Sequence, residues 1–211
     1  MAATVLLSAC ASGGTPETEA ASLQPLPAAE AIDWRSIATD DDRTRIRQWR
    51  NAWMRGLARA RASGHAAELE REGRLLEPDA AVAWQEPPPG DYLCRTIKVG
   101  GKGDGMLDYV AYPAFACRVR NENGLISFAK LTGSQRPLGL FLPDTNRRMV
   151  FLGTLQLGDE RRALQYGHDR ERDMAAVVER IDERRWRVVF PYPHFESLVD
   201  VLELVPRGSP S

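Results

Sequence analysis

The first regular pattern along the chain is a helical repeat of apolar residues that begins after residue 40. Asp40 to Asp42 place negative charge where a helix N-terminus favours it. The apolar positions then follow at i, i+3, i+7 and i+11: Ile46, Trp49, Trp53 and Leu57. This spacing predicts one helix that runs to about Arg61 and ends at Ser63-Gly64.

A second, shorter helix is predicted from His65 to Leu76, stopped by Pro78. A short turn from Ala80 to Trp84 follows. The run from Pro87 to Gly90 then ends the helical part of the chain.

Beyond that run, the sequence alternates between short β-rich segments and turn signals rich in Gly, Asn, Asp and Pro. The predicted strands are Asp91–Val99, Tyr109–Arg120, Leu125–Leu131, Leu138–Leu142, Arg148–Gln156, Ala175–Ile181, Arg184–Pro191 and Ser197–Val205. Connections of hairpin length predict an antiparallel meander of about eight strands, which commonly closes into a barrel. The predicted fold class is therefore α+β, with the helices packed on one side of the barrel or plugging one end.

The N-terminus indicates export and lipidation. Leu7-Ser8-Ala9-Cys10 resembles the bacterial lipobox, in which small residues precede a cysteine that carries diacylglycerol. Ala11 after Cys10 favours the outer membrane under the sorting rule of such lipoproteins. The alternative is an ordinary apolar N-terminus with a chance cysteine, because no Lys or Arg precedes the apolar stretch and that stretch is short for an export signal.

Composition divides the chain into five parts. Residues 1–9 form the signal segment, and residues 10–32 form the lipidated Cys and a small, polar tether that cannot bury enough surface to fold. Residues 33–86 form the helical segment and residues 87–206 the barrel. Residues 207–211 form a tail; the run from Leu204 to Ser209 matches a thrombin cleavage sequence, so it is excluded from functional reasoning.

Two cysteines remain once Cys10 carries lipid, and an even pair in an exported domain favours a disulfide between Cys94 and Cys117. The alternatives are two free buried thiols or half of a metal site. No CxxC pattern or nearby His supports a metal site.

Overall composition excludes some function classes. The chain has 211 residues and a net charge of −1, which argues against a nucleic-acid binder. No apolar run reaches the roughly 18 residues of a membrane-spanning helix. No HExxH, GxSxG or P-loop pattern is present, so we predict no catalytic residue, no metal and no cofactor.

The most distinctive polar segment runs from Lys130 to Pro137. It ends a strand in a turn that carries an amide, a hydroxyl and a guanidinium, a set able to grip a carboxylate or a sugar. The alternative is that Arg136 only satisfies backbone carbonyls at a barrel rim. The full set of candidate ligand-binding residues is Arg95, Lys130, Ser134, Gln135, Arg136, Tyr166 and His168.

Three other features have weaker functional interpretations. The run from His194 to Ser197 supplies a base, an acid and a hydroxyl, but such neighbours point in different directions in a strand or turn. The glycine loop from Gly100 to Gly105 can cradle an anion, although a hairpin loop explains it better. The arginines between Arg43 and Arg61 can face anionic head groups, although solvated arginines explain them as well.

Several short motifs resemble an uncharacterised family of proteobacterial predicted periplasmic lipoproteins, the domain of unknown function DUF4893. The matching pieces are Asp33–Arg35, Gly90–Arg95, Phe115–Arg118, Lys130–Pro137, Val150–Gly153, Trp186-Arg187 and Asp200–Leu204. The likeness runs from about Asp33 to Val205. It implies that the two Cys-Arg motifs belong together, and it implies no activity.

A looser likeness is to small periplasmic metalloprotease inhibitors with lipocalin-like barrels and one disulfide. In those proteins an early strand also opens with Gly, an aromatic residue and Cys, but a short arm replaces the helical segment. From the lipobox, the tether, the expected disulfide and the missing catalytic motifs, we expect a non-enzymatic envelope lipoprotein, held to the outer membrane by its lipid, that binds an envelope protein or a small ligand. The alternatives are an enzyme acting on envelope polymers through Arg136, His168 and His194, or a protease inhibitor.

Overall fold

A computed structural model describes residue 1 and residues 32–208 of the chain. The predicted signal segment, Cys10 and the tether up to residue 31 lie outside the described residues. The last three residues of the chain also lie outside them.

The helical segment consists of four short helices: α1 (Trp34–Ile37), α2 (Asp40–Arg47), α3 (Trp49–Ala62) and α4 (Ala66–Glu72), followed by a 3-10 turn (Gly73–Leu75). Thr39 begins α2, because its hydroxyl accepts a hydrogen bond from the Asp42 N–H. The prediction of one helix to Arg61 was wrong in one respect. At Gln48 the backbone leaves the helical region, with φ −97° and ψ 8°, and this separates α2 from α3.

Nine strands follow: β1 (Gly90–Gly101), β2 (Tyr109–Ala111), β3 (Phe115–Glu122), β4 (Leu125–Lys130), β5 (Gln135–Thr145), β6 (Arg148–Leu157), β7 (Asp173–Asp182), β8 (Arg185–Pro191) and β9 (Ser197–Pro206). Every predicted strand is present. The predicted strand from Tyr109 to Arg120 is two strands, separated by a segment that includes Pro113, which has no N–H to donate to a ladder.

The strands form a closed antiparallel barrel, as predicted. From β3 to β9 each strand pairs with the next, β1 pairs with β3, and β9 pairs back with β1 from Tyr92↔Pro206 to Gly101↔Ser197. Eight strands close the ring, and the short β2 adds to the far half of β1. Since Leu204 to Pro206 belong to β9, the first half of the thrombin-like run is part of the barrel wall.

The barrel interior is filled by aromatic rings over half of its length. Phe128, Phe141, Phe151 and Phe190 form a layer with neighbouring ring centroids 5.6–6.0 Å apart. One end is closed by the segment before β1. The Tyr92 hydroxyl donates to the Pro88 carbonyl at 2.6 Å, and the Trp186 indole donates to the Gln85 carbonyl at 2.7 Å.

The helices pack against one outer side of the barrel and do not plug an end. On α3, Trp53, Leu57 and Ala60 are buried in one cluster with outward-facing residues of the barrel wall, among them Val99 and Val199. Strands β1, β7, β8 and β9 are therefore largely buried on both faces.

The predicted disulfide is present. Cys94 and Cys117 are bonded and join β1 to β3 inside the barrel. Across residues 32–208, the structure contains no helix long and apolar enough to cross a membrane.

Candidate functional site

A cavity of about 170 Å³ lies at the end of the barrel opposite Tyr92 and Trp186. Its lining is mixed, with apolar side chains beside charged and polar ones, and Phe190 of the aromatic layer forms part of it. The apolar lining includes Phe115, Pro137, Leu155, Met174, Phe190 and Leu202. Charged side chains converge on it from four strands and from α2.

The first charged group is an ion-pair cluster centred on Lys98. Lys98 and Asp200 are direct partners in the β1–β9 ladder, so both point into the cavity. The Lys98 ammonium lies 3.0 Å from Asp200 Oδ2 and 3.0 Å from Glu196 Oε2. Burial lowers the pKa of Lys98, but its ion pairs with Asp200 and Glu196 outweigh burial and leave the pKa raised.

Asp200 is itself held in place by a hydroxyl. The Ser197 side chain is buried and donates to Asp200 Oδ1, while Oδ2 receives Lys98. Both carboxylate oxygens therefore have protein partners, and this half of the cavity is electrostatically satisfied.

The second charged group is Lys130, at the end of β4. Its side chain is 7% exposed, and its ammonium donates to the Gln135 carbonyl at 2.9 Å and lies 3.8 Å from the centre of the Phe115 ring. Within residues 32–208 no carboxylate forms an ion pair with it. Burial, reinforced by the positive charges of Lys98 and Arg136, lowers the pKa of Lys130 to about 8.

The third group lies on the β7 side, where Asp173 meets Arg45 of α2. The Arg45 guanidinium pairs with Asp42 and donates to the Asp173 backbone carbonyl at 3.0 Å. Asp173 Oδ1 accepts from the Gly167 N–H at 2.8 Å, whereas Asp173 Oδ2 and Arg45 Nε are buried with no hydrogen-bond partner in the described part of the chain. Burial raises the pKa of Asp173, and the nearby carboxylate of Asp42 adds to this.

A strained loop between β8 and β9 forms part of the cavity rim. Tyr192 has φ +46° and Glu196 has φ +66°, conformations that non-glycine residues seldom adopt. Lys102 holds the loop, because its backbone N–H donates to the Glu196 carbonyl and its ammonium donates to the Pro193 carbonyl. Such strain persists where surrounding contacts over-determine the backbone, and it is frequent at functional sites.

Three of the predicted ligand-binding residues meet at this cavity: Lys130, Ser134 and Gln135. Arg136 points away and donates to the carbonyls of Gly133, Leu157, Gly158 and Glu160, which is the structural role that the sequence left open. Arg136 therefore ties the end of β5 to the turn after β6.

The other predicted residues lie elsewhere. Arg95 is on the outer surface of β1, where it pairs with Glu72 and Glu203. The Tyr166 hydroxyl donates to Asp42 at 2.6 Å, and His168 is exposed in the loop before β7. Of the three residues in the hypothetical enzyme patch, only His194 lines the cavity.

Sequence reasoning missed Lys98, Phe115, Asp173 and Asp200 as site residues. A signal was available for two of them. Lys98 and Asp200 stand at positions of their strands that alternate with apolar residues, and a charge at a buried position needs a partner. Their pairing depends on the β1–β9 register, which joins residues 102 positions apart.

Comparison with known proteins identifies the family of the chain, and that family is described as a domain of unknown function. The model of the family described as domain of unknown function (DUF4893) matches residues 34–204, and the chain belongs to this family. No curated protein and no solved structure matches the chain.

Proposed function

We propose that this protein is a non-enzymatic lipoprotein of the cell envelope whose barrel binds a small ligand at its open end. The observation that carries the proposal is the cavity of about 170 Å³, which combines apolar side chains with a few buried charged ones. Ligand sites in proteins are typically concave and apolar with a few polar groups that fix orientation. The mouth of a barrel is one of the places where such sites occur.

The size and burial of the cavity favour a small molecule over a protein segment. An apolar cavity of about 150 Å³ is large enough to hold benzene. The polar end of a molecule of this size would meet Lys98, Lys130 or Asp173, which line the cavity.

The binding test uses the uniformly ¹⁵N-labelled full chain and three small aromatic probes: benzoate, benzamide and benzylamine. We expect at least one probe to shift the amide resonances of Thr96, Met174 and Leu202, which line the cavity. Thr96→Trp should abolish these shifts by filling the cavity. Leu131→Trp, on an exposed side chain next to Lys130, should leave them unchanged.

The proposal of a small-ligand site fails if none of the three probes binds the wild-type chain. It also fails if Thr96→Trp binds them as the wild type does. In that case the shifts would arise from a surface other than the barrel mouth.

The envelope location of the protein is the second part of the proposal. It is supported by the lipobox-like run ending at Cys10, by the polar tether that follows and by a disulfide of the kind found in exported proteins. We expect radiolabelled palmitate to be incorporated into the full chain expressed in a Gram-negative host, and the protein to fractionate with the outer membrane. Cys10→Ser should lose both properties, and retention of the label in that variant would exclude this anchor.

A further inference from the structure

We propose that the cavity takes a small organic anion, a carboxylate with an apolar body, whose charge is held by Lys130. This inference rests on the proposed ligand site and names the chemistry that the site recognises. It follows from the charges that the cavity leaves uncompensated, and from where they stand.

The three basic side chains that line the cavity differ in what neutralises them. Lys98 has two carboxylates within 3.0 Å, and Arg45 has the carboxylate of Asp42. Lys130 forms no ion pair with any carboxylate of residues 32–208, although it is buried. A buried ammonium without a counter-ion is unfavourable, and an anionic ligand supplies the missing charge.

The geometry of Lys130 leaves room for that contact. An ammonium has three N–H donors, and Lys130 directs one of them to the Gln135 carbonyl. The ring of Phe115 approaches its ammonium but is a weaker partner than a carboxylate. Ser134 and Gln135 line the cavity beside it, so their side chains are available to a carboxylate bound there.

The opposite wall suits the apolar part of the same ligand. Leu155 on β6, Met174 on β7 and Leu202 on β9 line the cavity. A molecule with one charged end and a compact hydrocarbon body therefore places each part against matching groups.

Lysine is rare in this chain, and its few lysines are concentrated at the cavity end of the barrel. Arginine occupies 25 of the 28 basic positions, and the three lysines are Lys98, Lys102 and Lys130. Lys98 and Lys130 line the cavity, and Lys102 holds the rim loop at Pro193. A lysine ammonium is a compact point charge on a flexible stem, and it takes up less room in a narrow site than a planar guanidinium fork.

Asp173 gives a reason to expect the opposite preference, for a cation over an anion. Its Oδ2 is buried without a partner and would attract a cationic or hydroxyl group. If this carboxylate dominated the cavity, the site would prefer amines to acids, and the test must separate the two.

The test compares benzoate, benzamide and benzylamine, which share one ring and differ in charge. Affinities are measured by NMR titration of the full chain at neutral pH for the wild type, Lys130→Met and Lys130→Arg. We expect the wild type to bind benzoate at least about tenfold more tightly than benzamide, since a hydrogen bond to a charged group contributes more than a neutral one. Lys130→Met should remove this difference and leave benzamide binding unchanged, and Lys130→Arg should restore part of it.

Three outcomes overturn the assignment to Lys130. The first is that benzoate binds the wild type no more tightly than benzamide. The second is that the preference for benzoate persists in Lys130→Met, and the third is that benzylamine binds most tightly of the three probes. If in any of these cases Thr96→Trp still abolishes binding, the small-ligand site stands and only its anion preference falls. If no probe binds the wild type, the proposed function falls together with this inference.

Discussion

Lys98 Nζ lies 3.0 Å from Asp200 Oδ2 across the seam that closes the barrel, where β1 pairs with β9. Both residues are buried, with exposures of 6% and 7%. The last strand and the first strand of the barrel are therefore joined by a buried ion pair as well as by backbone hydrogen bonds.

Breaking this pair from one side should destabilise the protein. We expect Lys98→Met to lower the free energy of unfolding by about 3–5 kcal/mol, because it leaves Asp200 buried without its cation. Urea unfolding followed by tryptophan fluorescence measures this change. The double variant Lys98→Met/Asp200→Leu should recover most of the loss, and a loss below about 1 kcal/mol in the single variant would contradict the expectation.

Removing the charge of Lys130 should not destabilise the protein as removal of Lys98 does, because Lys130 has no paired carboxylate among residues 32–208. Its pKa is about 8 in the folded chain against 10.5 for an ordinary lysine, so between these values the unfolded chain binds more protons than the folded chain. The contribution of Lys130 to stability therefore rises with pH across this window and is least favourable below about pH 8.

The measurement is the difference in unfolding free energy between the wild type and Lys130→Met from pH 7 to pH 10. We expect Lys130→Met to be at least as stable as the wild type at pH 7. We also expect the wild type to gain about 1 kcal/mol per pH unit relative to the variant above pH 8. Tyrosines such as the partly buried Tyr109, whose pKa is raised to about 12, are present in both chains, so their contributions cancel. A difference that does not vary with pH would contradict the assignment.

A glycine contact sets how closely α3 approaches the barrel. A Cβ added to Gly100 would stand 2.8 Å from the Gly56 Cα, and Gly100 also has φ +73°. Gly100→Ala should therefore destabilise by both backbone strain and collision, about 2–4 kcal/mol in total. Gly64→Ala is the matched control, because Gly64 has φ +90° but nothing within 4 Å of an added Cβ. Its loss should be only about 1 kcal/mol by thermal unfolding, and equal losses at both sites would refute a close contact.

Arg187 ties the segment after α4 to the outer wall of β8. Its guanidinium is fully buried, donates twice to Glu179 at 2.7 and 2.9 Å, and donates to the Glu77 carbonyl at 2.7 Å. It also hydrogen-bonds the carbonyls of Arg74, Leu75 and Pro78.

A lysine cannot reproduce this fork of donors. We expect Arg187→Lys to lower the free energy of unfolding by about 3 kcal/mol or more and to open the chain near Arg74 to trypsin. Arg184→Lys, in the exposed turn between β7 and β8, should change stability by less than about 0.5 kcal/mol. Chemical unfolding and limited proteolysis of both variants make the comparison, and equal resistance would contradict the role of Arg187.

The strands were predictable because each is bounded by local turn chemistry. Asn123-Gly124 and Asp182-Glu183 mark hairpins whose flanking strands appear where expected. The break at Gln48 was not predictable in the same way, because the apolar repeat from Ile46 to Leu57 continues across it. Tertiary contacts decide that break: Ile46 belongs to the cluster over β6 and β7, whereas Trp53 belongs to the cluster over β1 and β9.

The candidate site was predictable only in part. Lys130, Ser134 and Gln135 were found because they are neighbours in one polar turn. Arg136 stands in the same turn but points the other way, since successive residues of a strand alternate between faces. Arg95 was placed with them by its side-chain chemistry alone, and its position on β1 puts it outside the barrel with Glu72.

The class of fold and the expectation of a disulfide follow from features that are visible along the chain: alternating apolar residues, turn signals and a pair of cysteines. Which charges share a cavity depends on the folded barrel and could not be predicted in this way. Lys98, Lys130 and Asp173 come from three strands that are distant in sequence, and closure of the barrel brings them to one end. Whether a buried charge is neutralised depends on the neighbours that closure supplies. Lys98 meets two carboxylates there, whereas Lys130 forms no ion pair with a carboxylate of residues 32–208.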